Sequence, residues 1–226
     1  MNSIFDTLLS LPLFNGVEED KIRKVVGTTK FHFLKYPAGE EIIAEGDRCN
    51  HVIFILQGRV RFTIKKAESR FRLTYTLGGG NVVAPEFLFG MTTAYPFTAA
   101  TVEPTSVLQI AKEDYLAILN SDRIFLINYL NALSANAQNN IGGILSLTSG
   151  DLVRRIAYWV TSLTRQNSED ITIHCRLRDL HTIFNVQRSA LIAALDTLAA
   201  QHIVDYTNES VTIHSRRDLV SLLREK

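Results

Sequence analysis

Gln187, Arg188 and Ser189 stand in a row, and an amide, a guanidinium and a hydroxyl are groups that hydrogen-bond base edges or phosphates. Arg176 and Arg178 lie just upstream, two cations placed to reach a phosphate backbone. Other chemistries lack their residues. No GxSxG, HExxH, Walker A or Rossmann fingerprint occurs, so no catalytic residue is assigned and the chain is not expected to be an enzyme. His32, His51, His174, His181, His202 and His214 show no metal-ligand spacing, and no metal site is expected. His51 or Cys49 as a haem ligand competes with the simpler reading of a packed or solvated side chain.

Presenting Gln187-Arg188-Ser189 requires a helix that exposes its start and buries the face behind it. Leu177, Leu180, Ile183 and Phe184 share one face of a first helix. Asn185-Val186-Gln187 then makes a tight turn, because asparagine tolerates the left-handed conformation. A second helix from about 187 to 201 buries Leu191, Ala194, Leu195 and Leu198. A strand over 171–173 precedes the pair. A hairpin follows it, with 203–206 and 211–213 flanking Thr207-Asn208-Glu209-Ser210. Helix, turn, helix and hairpin make a winged helix-turn-helix. The alternative is a small helical domain that binds protein rather than DNA.

Upstream the texture is different. Val60, Phe62 and Ile64 alternate with polar residues, as do Leu73, Tyr75 and Leu77, the period of half-buried strands. The run from His51 to Leu56, closed at Gln57-Gly58, reads as a buried strand. Short strands from about 31 to 110 predict an antiparallel barrel. Lys112 opens a short helix ending near Asn120, and a longer helix follows Ser121-Asp122. On it Leu126, Leu130, Leu133, Ala137, Asn140, Ile144 and Leu147 recur at steps of four and three, the a/d seam of a helix that meets a second helix. The seam predicts a homodimer; packing of this helix on its own barrel is the alternative. Gly142-Gly143 weakens the helix and permits close backbone approach. Asp151 is placed to cap a helix over 152–163, and the hinge falls at Ser149-Gly150-Asp151. The expected organisation is α+β: a barrel over 1–120, a dimerisation helix over 121–148 and a winged helix over 149–226.

Composition sets limits. The net charge of +1 over 226 residues rules out a uniformly basic molecule, so a nucleic-acid surface must be local. Two distant cysteines, Cys49 and Cys175, fit a reducing compartment better than a disulfide framework. The first residues lack a basic stretch before a short apolar run, and no apolar run reaches about 18 residues. A soluble cytoplasmic protein without a membrane partner is expected.

With barrel, seam helix and winged helix in this order, the chain resembles the Crp/Fnr family of bacterial regulators. The resemblance is carried by Tyr36-Pro37-Ala38-Gly39, Glu45-Gly46-Asp47, Gln57-Gly58-Arg59-Val60, Leu180, Val186 and Arg188. It implies a cyclic-nucleotide-binding-like β-roll, a palindromic double-stranded DNA operator, a homodimer and RNA polymerase as partner. It also implies an effector site at Glu86, Phe97, Thr98 and, on the dimer helix, Asn140. The family's nucleotide-binding cassette pairs Gly-Glu with Arg-Ser/Thr-Ala, whereas this sequence has Pro85-Glu86 and Phe97-Thr98-Ala99. Phe97 stands where the family's phosphate-binding arginine falls. A cyclic phosphodiester buried without a cation costs several kcal/mol, so an effector other than cyclic AMP is expected, its identity unknown. Arg61 and Arg72 are candidate substitutes, but their alternation points them to solvent. Asn140 is either an effector contact or a residue that sets helix register. The iron–sulfur branch's N-terminal cysteine cluster is absent. Ser189 and Ala193 replace the glutamate and second arginine of the family's reading helix, so the operator should differ. A nucleotide-binding-like module acting through protein contacts is the competing function.

Overall fold

A computed structural model describes residues 8–9, 11–65, 70–147 and 150–224. Eleven strands and seven α-helices follow one another among them. In chain order they are α1 (Glu19–Thr28), β1 (Phe31–Tyr36), β2 (Glu41–Ile43), β3 (His51–Gln57), β4 (Arg59–Lys65), β5 (Arg72–Gly78), β6 (Val82–Val83), β7 (Thr98–Thr101) and β8 (Thr105–Ala111). Then come α2 (Lys112–Ser121), α3 (Arg123–Ser146), α4 (Leu152–Leu163), β9 (Glu169–His174), α5 (Leu177–Ile183), α6 (Arg188–Ala200), β10 (Val204–Tyr206), β11 (Ser210–Ile213) and α7 (Arg216–Arg224). The chain divides into two compact units. One holds the residues up to Arg61 together with Leu77–Ala135; the other holds Phe62–Thr76 and everything from Asn136 on.

The first unit is an antiparallel β-roll. Its sheet runs β1-β8-β3-β6, with Val52 of β3 opposite Ile110 of β8 and Phe31 of β1 opposite the same residue. Strand β3 is apolar without alternation, and Val52, Ile53, Phe54 and Ile55 are all buried. Such a run forms when both faces of a strand are covered. Each fully buried Phe, Ile or Leu here contributes about 1.5–3 kcal/mol. The turn after β3 requires a glycine: Gly58 has φ 85°, and a Cβ there would come within 2.6 Å of the Pro104 carbonyl oxygen. The other turns named from the sequence also form, with Gly39 N–H donating to Thr101 O at 2.9 Å and Gly46 N–H to Tyr95 O at 2.8 Å.

The second unit contains the winged helix. Helix α4 opens on Asp151, whose carboxylate accepts from Arg154 N–H at 3.3 Å, the cap read from the sequence. Its buried face includes Ile156, Trp159 and Val160. Trp159 meets Phe184 edge-on at 5.4 Å and Phe71 at 6.1 Å. Arg155 stacks over the Phe184 ring and donates to the Leu147 and Phe184 carbonyls, satisfying acceptors that helix ends leave open. Arg216 does the same for α4, donating to Thr161 O and Thr164 Oγ1 at 3.0 Å. Gly143 packs so tightly on α4 that a Cβ would overlap the Ser162 side chain. This is the close approach that Gly142-Gly143 suggested.

The units do not follow the expected divisions at 120/121 and 148/149. Helix α3 is shared between them at Ala135/Asn136, and residues 62–76 associate with the C-terminal unit. The cause is a long-range pairing: β5 lies antiparallel to β9, with Arg72 opposite His174 and Leu73 opposite Ile173. Thr76 Oγ1 donates to Asp170 at 3.0 Å beside it. Of the expected hinge, Ser149 lies outside the described residues.

Candidate nucleic-acid interface and sensor interior

The turn between α5 and α6 forms as read, with Asn185 at φ 50° and Val186 N–H donating to His181 O at 3.1 Å. Packing then decides what α6 shows. Leu191, Ala194, Leu195 and Leu198 are buried against the rest of the unit. Gln187, Arg188, Ser189, Ala190 and Ala193 are consequently exposed on the opposite face. Gln187 sits at the N-cap in extended conformation without a side-chain capping bond, leaving its amide for other partners. Arg188 donates to Asn208 Oδ1 at 3.4 Å, so the start of the reading helix touches the wing. In the sequence Asn208 is only a loop residue, because nothing local ties position 208 to position 188.

The wing is β10 and β11, with Tyr206 opposite Val211. Its loop is tied down by Thr207, whose hydroxyl accepts from Glu209 and Ser210 N–H. Asn208 O accepts from Leu177 N–H at 3.0 Å and Glu209 O from Cys175 N–H at 2.9 Å. The wing is thereby fastened to the start of α5. Arg176 and Arg178 lie there as expected, though each is engaged: Arg176 Nε donates to Asp179 at 2.8 Å and Arg178 approaches it at 3.4 Å. The Arg176 hydrogen bond holds the Asp179 carboxyl below the usual carboxylate range.

The expected effector residues fall in different places. Glu86 lies in a 3-10 turn, Pro85–Phe87, launched from Ala84, which adopts φ 40°. A non-glycine residue there is uncommon and marks local strain. Phe97 is 4% exposed and packs against Tyr95 at 5.3 Å and Phe87 at 6.2 Å. Thr98 opens β7 and is half-buried. Asn140 lies on α3 in the other unit and is exposed. The interior that senses the Glu86 charge includes the Cys49 thiol and the Tyr95 and Tyr129 phenols. Tyr95 Oη donates to Cys49 Sγ at 2.8 Å, and Tyr129 of α3 donates to Pro85 O at 3.2 Å. Burial pushes the Cys49 thiol and the Tyr95 phenol up, and Glu86 opposes their ionisation further. Tyr129 is pushed up to about 12, by burial first and then by the Glu86 charge.

One cation that sequence reasoning missed stands nearby. Lys112 Nζ lies 5.0 Å from the centre of the Phe89 ring, and its pull on Cys49 is smaller than the push from Glu86. Arg61 and Arg72 are exposed, as their alternation required. A cavity of about 30 Å³, bounded by Phe54, Pro85, Tyr115 and Tyr129, is water-sized rather than nucleotide-sized. No cluster of His, Cys, Asp or Glu suited to a metal occurs among the described residues. No described helix is long and apolar enough to cross a membrane.

The seam residues on α3 remain largely uncovered. Leu126, Leu130 and Ile144 are exposed, Leu130 to 44% and Ile144 to 67%. Ala137 is exposed too, and Leu133 and Leu147 are half-buried. Leu147 falls just past the end of the helix. The residues of α3 that bury within the chain are Phe125, Tyr129 and Gly143, on a different face from the seam. Packing of the seam on its own barrel is therefore not what the fold shows.

A β-roll, a long helix with an uncovered apolar stripe and a winged helix with an arginine at the head of its reading helix define a class of regulator. Residues 33–122 match the cyclic nucleotide-binding domain. The chain is 27% identical over 197 residues to the cyclic AMP receptor protein of Thermus thermophilus, spanning 85% of this chain and 88% of that protein. Its fold is similar to the catabolite activator protein of Thermus thermophilus, at 24% identity, TM-score 0.52, and coverage of 93% and 97% of the two chains. It is also similar to the sensor domain of the transcriptional regulator DNR of Pseudomonas aeruginosa, at 18% identity and TM-score 0.51, covering 60% of this chain and 89% of that one. Over most of its length the chain is thus similar to transcription regulators of the Crp/Fnr type, with a match to the cyclic nucleotide-binding domain in its first half.

Cys49 and Cys175 are both buried free thiols, and burial raises both. A thiol reagent at neutral pH should therefore label the native protein slowly. Two equivalents should react on unfolding without reductant. Fewer than two would reveal an oxidised or modified cysteine.

Proposed function

We propose that this protein is a homodimeric, sequence-specific DNA-binding regulator whose operator is palindromic and whose effector is not cyclic AMP. The observation that carries the DNA-binding half is the presentation of Gln187, Arg188 and Ser189 on the exposed head of α6, beside Asn208 of the wing. Arg188 is the base reader, because guanidinium binds guanine O6 and N7 through two bonds. Gln187 and Ser189 contact bases or phosphates beside it, and Arg176 and Arg178 contact the backbone. Dimerisation through Leu126, Leu130, Leu133, Ala137, Ile144 and Leu147 covers the apolar stripe of α3. It also sets two reading helices about 34 Å apart, one helical turn of DNA. RNA polymerase is the protein partner that the resemblance to Crp/Fnr-type regulators suggests, in the cytoplasm.

The effector half rests on Phe97. In the place expected of a phosphate-binding arginine, a buried aromatic packs against Phe87 and Tyr95, next to the Glu86 carboxylate. An anionic phosphodiester would meet an apolar wall and a like charge there. The environment favours an uncharged or weakly charged molecule held by Glu86 and Thr98, and Asn140 is the dimer-helix residue assigned to the effector.

Three measurements test this reading. Arg188→Ala should weaken operator binding by about 1–3 kcal/mol per half-site and relax preference at one base pair, as measured by anisotropy on a panel of variant operators. Unchanged base preference would remove Arg188 from base reading. Leu133→Asp should give monomers by light scattering and lose most operator affinity; a persistent dimer would disprove the α3 interface. Calorimetry with cyclic AMP at physiological concentration should show no binding heat, whereas micromolar binding would show that another cation, Lys112 first, neutralises the phosphate.

A further inference from the structure

The pairing of β5 with β9 gathers cations that neither the reading helix nor the sensor interior uses. Arg72 on β5 stands directly opposite His174 on β9. Arg70, two residues before Arg72, is exposed, and so is Arg72. Arg70, His174, Cys175 and Arg176 line an open groove of about 320 Å³, and Thr207, Glu209 and Ser210 of the wing loop complete its wall. Arg176 is already paired with Asp179, but among the described residues neither Arg70 nor Arg72 has a carboxylate partner. Like charges directly opposite across a strand pair are destabilising. Here the conflict is resolved on the histidine, which burial and the Arg72 charge together hold below its usual range. The fold thus concentrates positive charge along one edge of the wing and tolerates its cost.

The position of the groove indicates its partner. Its wing residues, Thr207, Glu209 and Ser210, flank Asn208, which accepts from Arg188 at the head of α6. That wall is tied together: the Thr207 and Ser210 hydroxyls lie 3.0 Å apart, and Thr207 accepts from two backbone N–H groups. Exposed arginines at the start of a paired strand, in a groove whose wing residues flank the contact of Arg188 with Asn208, suit an extended polyanion. They carry no rigid bidentate partner that would fix them for reading bases.

We propose that this groove is a second DNA contact, in which Arg70 on its wall and Arg72, opposite the groove residue His174, bind backbone phosphates beside the wing. The proposal rests on the DNA-binding reading above and extends the interface to a segment from the sensor half of the sequence. These arginines add affinity on any sequence, while Arg188 supplies the discrimination.

The test uses the full-length dimer carrying Arg70→Ala and Arg72→Ala together, with anisotropy on operator and random duplexes between about 50 and 200 mM salt. Affinity should fall by a similar factor on both duplexes. The slope of log K against log salt should become shallower by about 0.9 for each phosphate that is no longer neutralised, hence by up to about 1.8 per protomer and about 3.6 for the dimer. Arg70→Lys with Arg72→Lys should keep the wild-type slope, since a phosphate responds to charge. An unchanged slope in the alanine variant, a weakening confined to the operator, or lysine behaving like alanine would each overturn the proposal. Failure of the wild-type dimer to bind any duplex would instead remove the regulator reading itself. Wild-type binding with the expected Arg188→Ala effect, alongside an indifferent hairpin variant, removes the groove alone.

Discussion

Helix α3 has 24 residues, and the apolar stripe that runs along it stays largely uncovered among the described residues. Leu126, Leu130, Ile141, Ile144 and Leu145 are all exposed. Burying one such side chain is worth about 1.5–3 kcal/mol, so a second copy of the same helix has a strong claim on the stripe. Much of the proposed mechanism depends on that demand. It brings two reading heads together, and through Tyr129 the same helix reaches the sensor interior at Pro85. In the proposed mechanism one element therefore touches the interior of the β-roll and also forms the dimer seam.

The sensor interior shows how one substitution changes a site's chemistry while the fold is kept. The β-roll retains its glycine-marked turns at Gly39, Gly46 and Gly58, because the backbone requires them whatever the ligand. The residue at position 97 is under no such demand. As phenylalanine it joins Phe87 and Tyr95 in a buried aromatic group, where edge-to-face and tilted contacts stabilise beyond simple burial. The Glu86 charge opposes ionisation of the neighbouring Cys49, Tyr95 and Tyr129. A match to the cyclic nucleotide-binding fold and the proposed preference for another effector are then compatible.

In the DNA-binding unit, specificity and stability draw on separate groups. The core of Leu191, Leu195, Leu198, Trp159 and Phe184 holds α6 in place and faces away from solvent. Arg155 and Arg216 are occupied by helix-end carbonyls and hold the unit together. The cations left for nucleic acid are local, which is how a chain of net charge +1 can present a basic surface. Arg176 and Arg178 share Asp179, an exposed and weakly stabilising arrangement that a phosphate can compete with.

Local periodicity and turn chemistry made most of the elements legible. The buried positions Leu191, Ala194, Leu195 and Leu198, the left-handed Asn185 and the Asp151 cap all follow from spacing and backbone preference within a few residues. So does the α3 stripe, since a seven-residue repeat is visible in one dimension. What spacing could not show was any contact between distant segments. The pairing of Arg72 with His174, the approach of Arg188 to Asn208 and the position of Lys112 over Phe89 each join residues 20 or more positions apart. So does the transfer of residues 62–76 to the C-terminal unit, which depends on hydrogen bonds between β5 and β9. The sequence by itself determined which faces are apolar and which turns must bend, because these are set by neighbours along the chain. The tertiary structure alone decided which charged groups meet, because that depends on how separate elements pack against one another.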